Sequence, residues 1–166
     1  IPLWLGLAAA RCFRPDLALD KQDELRGHLR PAIERFRYLS EGCEENFLHK
    51  LRLLEAEQAR LEGDFPDAMA KYDEALSLAR ATGFLHIEAL AAQFCGQFYL
   101  QAGRERIAIL YLREARDAYL RWGALALCNH LETRFAELLG ASATDACTDG
   151  SATTAVTAMT LGSTQL

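Results

Sequence analysis

Two histidines, His49 and His86, are the residues of this sequence best suited to hold a metal ion or move a proton. A metal site on a helix needs a second ligand three or four residues away, as in HExxH. His86-Ile87-Glu88 lacks the second histidine, and His130 and Glu132 stand two apart, on different helical faces. Both His49 and His86 therefore read as capping or inter-helix hydrogen-bonding groups. Cys95 and Cys128 fall on apolar helical faces, where thiols are inert core filler. No GKS or GKT occurs, and no glycine loop follows a strand pattern, so nothing cradles a phosphate. No nucleophile, base and orienting group converge in the pattern. The chain is expected to be non-catalytic, with no cofactor and no metal.

The basic stretch Arg104, Arg106, Arg113, Arg116 and Arg121 is offset by Glu105, Glu114 and Asp117. It reads as a solvated helix face. An acidic docking partner from another domain of the same chain is the alternative. Net charge is −5, which speaks against a nucleic-acid surface. The five scattered cysteines include no CxxC and fit a reducing, cytoplasmic compartment. The apolar opening IPLWLGLAAA has no basic residues before it and is too short to span a bilayer. It reads as a helix cut from a longer protein. Ile1, Leu3, Trp4 and Leu7 would then form a face left uncovered by a missing neighbour.

These residues are carried by a periodic scaffold. Gly63 is followed at five, nine and twelve residues by Ala68, Tyr72 and Ala75. Gly103 is followed at the same offsets by Ala108, Leu112 and Ala115, 40 residues later. A fixed period of that size marks a helical repeat, whose units bury apolar faces only against neighbours. Residues 1–140 are expected to form about seven antiparallel helices with no sheet. The spans are 1–14, 17–39, 44–62, 65–81, 85–102, 104–122 and 124–139. Pro31 should kink or divide the second. Gly63 closes the third, Asp64 caps the fourth, and Trp122-Gly123 ends the sixth, with the indole covering the joint. From Ala141 onward the chain is Ala-, Ser- and Thr-rich, and residues 141–166 read as a flexible linker.

The spacings resemble the tetratricopeptide repeat, whose second helix takes Ala, a large residue and Ala at these offsets. Gly96 and Tyr99 fit its first-helix small and aromatic positions. In the other copy only Ala56 and Ala59 fit, and Arg52 and Glu55 replace expected apolar residues. ENFLHK, GFLHIEALA, FYLQAG and YLREARDAYLRWGA, within residues 43–140, resemble a more particular family. It is the helical-repeat region of large bacterial hybrid sensor histidine kinases, which carry a serine/threonine-kinase-like domain and an AAA-type ATPase. In that family the region lies between the ATPase and a GAF sensor followed by the kinase. The resemblance implies a non-catalytic coupling segment with protein partners and no membrane insertion. None of the family's ATP-binding or phosphorylation motifs falls within this chain. A stand-alone peptide-binding adaptor, or the sensor arm of a helical-repeat transcription activator, is the other reading of the same fold.

Overall fold

The computed structural model describes the backbone of residues 2–145 and the side chains of residues 2–140. Ile1, Cys147 and the rest of the segment 146–166 lie outside the described residues, and with them most of the expected linker. Among the described residues there are eight helices and no strand. They are α1 (Pro2–Cys12), α2 (Leu19–Gly42), α3 (Glu44–Glu62), α4 (Phe65–Ala81), α5 (Leu85–Gln101), α6 (Glu105–Trp122), α7 (Leu125–Arg134) and α8 (Ala136–Asp145).

One turn is used four times. Gly63, Gly83, Gly103 and Gly123, spaced by 20 residues, are the described residues with positive φ, between 70° and 81°. Each stands just past a helix end, in the left-handed conformation that costs glycine nothing. The next residue's N–H then turns back to a carbonyl five residues earlier. Asp64 reaches Ala59, Phe84 reaches Ala79, Arg104 reaches Tyr99 and Ala124 reaches Tyr119, all at 2.8–2.9 Å. With the same turn closing α3, α4, α5 and α6, consecutive helices fold back on one another, and two such units make the 40-residue offset. Asp64 caps α4, its carboxylate accepting the Asp67 N–H at 3.1 Å.

The core runs the length of the stack. α5 lies at its centre and is buried nearly all round, from Ile87 to Tyr99. α1, α3 and α5 lie side by side, while α4 and α6 stand outside them without a close backbone approach to each other. Leu3 and Leu7 do not form an uncovered face; they are 5% and 3% exposed and belong to the core, and among the described residues of that expected face only Trp4 is open. α1 seats closely because Gly6 lies against the Ala32 and Leu54 side chains.

α2 runs unbroken through Pro31. The carbonyl deprived of a donor is that of Gly27, in an exposed turn with open space around it, where water can serve it. The expected seventh helix is two. At Phe135 (φ −119°, ψ 29°) the backbone leaves the helical basin. The Phe135 ring stays buried and α8 folds back toward α6. α8 continues past the expected boundary at 141, as far as Asp145.

Candidate functional site

The small residues of the repeat occupy the tightest contacts. Ala68, Ala75, Ala108 and Ala115 have no exposed surface, and neither do Tyr72 and Leu112. Gly96 is brought against Leu112 and the Ala108 carbonyl, so α5 and α6 approach without side-chain bulk between them. Tyr99 is buried and stacks on Tyr111 at 5.4 Å. Gly63 and Gly103 lie at exposed turns. Trp122 is 45% exposed, stacked on Tyr119 and tilted against His86.

Two carboxylates that look like surface residues in the sequence are buried. Glu57 of α3 has no exposed side-chain surface. It pairs with Arg60 at 2.7 Å and with Arg11 of α1 at 3.5 Å, and accepts a short hydrogen bond from the Tyr72 hydroxyl of α4. Arg60 also donates to the Ala10 carbonyl at 2.8 Å, so one node ties α1, α3 and α4. Burial, with the Glu57 carboxylate beside it, holds the Tyr72 phenol well above its usual value. Glu88 of α5 forms the second node, with Arg80 of α4 at 3.0 Å and Arg121 of α6 at 2.6 Å. Partners on three helices satisfy Glu57 and partners on two satisfy Glu88, as a buried carboxylate requires. The spacing carried one clue. Forty residues after Glu57 and Tyr72 stand Gln97 and Leu112. Leu112 has no hydroxyl, and the buried Gln97 amide has no hydrogen-bond partner at either atom.

Arg52 and Glu55, which stand where the repeat calls for apolar residues, form an ionic cluster instead. Glu55 meets Arg52 at 2.7 Å and Arg37 at 3.1 Å, and Arg52 reaches Glu74 at 2.7 Å. The cluster fastens α3 to α2 and α4.

The histidines are not capping groups. His49 is fully buried against the Phe84 ring at 4.4 Å, and neither ring nitrogen makes a well-formed hydrogen bond. Burial, then the nearby Lys50 and His86, lowers its pKa to about 4, so it is neutral at pH 7. His86 stands in a row of rings between Trp4 at 6.5 Å and Trp122 at 5.7 Å. Lys50 lies over Phe84 at 4.3 Å. The start of α1, the start of α5 and the end of α6 thus share an aromatic rim with both indoles about half exposed. Its chemistry is that of a contact surface, apolar and edged by one ammonium group.

Burial raises the Cys95 thiol well above its usual range, and Cys128 is raised by the same cause. Neither thiol is poised for nucleophilic work. Among the described residues no group of three or more His, Cys, Asp or Glu could hold a metal ion. No described helix is long and apolar enough to cross a membrane.

No known protein family matches the chain, and no solved structure matches it. The chain is similar to a protein described as hybrid signal transduction histidine kinase G from Dictyostelium discoideum, at 36% identity over 107 residues. The match covers 64% of this chain and 3% of that much longer protein. It is a likeness to one segment of a signalling protein.

Proposed function

We propose that this chain is a non-catalytic helical-repeat segment of a multidomain signal-transduction kinase. In this reading it couples an ATPase module to a downstream sensor and histidine-kinase region. One observation carries the reading: 36% identity with a stretch of a hybrid histidine kinase, sustained over 107 residues. The packing is consistent with it. Nodes such as Glu57 and Glu88, each joining three helices, make neighbouring units move together. A displacement at one end of such a stack is passed on rather than absorbed. The partners are other domains of the same chain or a docking peptide, met through exposed side chains such as those of the aromatic rim. The segment takes no part in phosphoryl transfer and binds no nucleotide, and a cytoplasmic setting belongs to the same reading.

The test is the coding sequence in which the segment lies. The reading expects one open frame that runs from an ATPase module through these residues into a GAF and histidine-kinase region. A stop codon soon after the segment, or a helix-turn-helix region in its place, would support the adaptor or transcription-activator reading instead.

A further inference from the structure

α4 and α6 leave a slot of about 520 Å³ between their first turns. Its size lies in the range of sites that bury a ligand, roughly 300–1,000 Å³. The floor is Phe98 and Tyr99, which belong to the core. The walls are Phe65 and Met69 on one side and Ile107 on the other, exposed by 51%, 40% and 39%. Single exposed apolar residues need no explanation, but several facing one another across a groove mark an interaction surface. A hydrogen bond from the Tyr111 hydroxyl to Asp73, at 2.6 Å, bridges the two helices about one turn further along. Arg104 is the slot's single charged lining residue. It enters no ion pair or hydrogen bond through its side chain among the described residues, unlike Arg80, Arg116 and Arg121 further along α4 and α6. It also stands at the N-cap of α6, whose first amides no side chain caps, so both guanidinium and helix end favour an anion there.

We propose that this slot docks a short peptide segment of a partner domain, one that carries a large apolar anchor with an acidic residue beside it. The anchor lies over Phe98 between the two walls, and the carboxylate pairs with Arg104. Charge complementarity selects this occupant: an apolar floor with a lone, unpaired cation at its mouth is filled by the opposite sign next to an apolar group. The inference rests on the reading of the chain as a protein-docking segment, and names the chemistry of one partner.

A random twelve-residue peptide library displayed on phage and selected on the full chain tests this directly. The enriched peptides should share Phe, Leu or Trp close to Asp or Glu. Synthetic copies, followed by fluorescence polarisation, should lose about tenfold or more in affinity on Ile107→Glu. They should also weaken on Arg104→Glu and recover when the peptide's acid is changed to Lys. Both substitutions fall on exposed side chains, and unchanged helical circular dichroism and melting temperature would show that the fold is kept. Enriched peptides that bind the parent and both variants alike would overturn the proposal, as would a selection that enriches none. Self-association of the chain that Ile107→Glu abolishes would assign the slot to a second copy and also overturn it. None of these outcomes bears on the open reading frame, so failure of the slot and failure of the coupling role are told apart.

Discussion

Gly96→Ala puts a methyl group into the closest contact of the α5–α6 pair. An added Cβ would lie 2.9 Å from Leu112 Cγ, 3.0 Å from Leu112 Cδ2 and 3.2 Å from the Ala108 carbonyl oxygen. Two effects oppose each other. Gly96 sits within a helix at negative φ, so alanine gains about 1 kcal/mol of helix propensity. Overpacking a closed core costs about 1–3 kcal/mol. Leu112 and Ala108 have no exposed surface, and one of the three contacts is backbone, so the neighbours have little room to give. The overpacking should therefore prevail, for a net loss of up to about 2 kcal/mol. Urea unfolding followed at 222 nm should show a lower midpoint with an unchanged slope. Leu112→Ala alone should cost about 2–5 kcal/mol by leaving a cavity. In the double variant the new methyl fills part of that cavity and meets no leucine, so the losses should fall short of their sum by about 1 kcal/mol. A raised midpoint for Gly96→Ala, or strict additivity of the pair, would refute the close approach from which these values follow.

Three further outcomes follow from buried polar groups. Gln97→Leu, which removes an amide with no partner, should stabilise the chain by about 1–3 kcal/mol in the same urea assay. Arg60→Ala should destabilise it by about 3–5 kcal/mol, because Glu57 stays buried with its principal partner gone. His49 titrates near 4 when folded and near 6.5 when unfolded. Between those values the unfolded chain binds the extra proton, so stability falls as pH drops from about 6.5 to 4, by at most about 1.4 kcal/mol per pH unit. His49→Leu should flatten that part of the stability–pH curve, and an unchanged slope would show that His49 is not the group responsible.

The repeat was open to sequence reasoning where geometry demands a residue type. A helix end closed by a left-handed residue calls for glycine, and two helices in contact call for alanine, so Gly63, Gly103, Ala75 and Ala115 mark the units. The division at Phe135 left no such mark. Cys128, Leu131, Phe135 and Leu138 keep helical spacing across it, and no proline or glycine stands there. Long-range pairing was hidden as well. Glu57 and Glu88 have the composition of a solvated face, and their partners Arg11 and Arg121 lie 46 and 33 residues away. The aromatic rim joins Trp4, His86 and Trp122 from three helices, and no local pattern links them. The histidines misled for a related reason. Polar side chains were expected to find partners, whereas His49 is packed as a neutral aromatic ring.

The central claim is that these residues couple domains of a kinase without taking part in its chemistry. Transfer of labelled phosphate from ATP tests it most directly, measured on this chain alone and on the full open reading frame that contains it. The account predicts no label on the chain alone, label on the full protein, and a changed labelling rate when Arg60→Ala loosens the stack. Phosphate transferred by the purified chain alone and mapped to these residues would contradict it, as would a full-length labelling rate indifferent to the substitution.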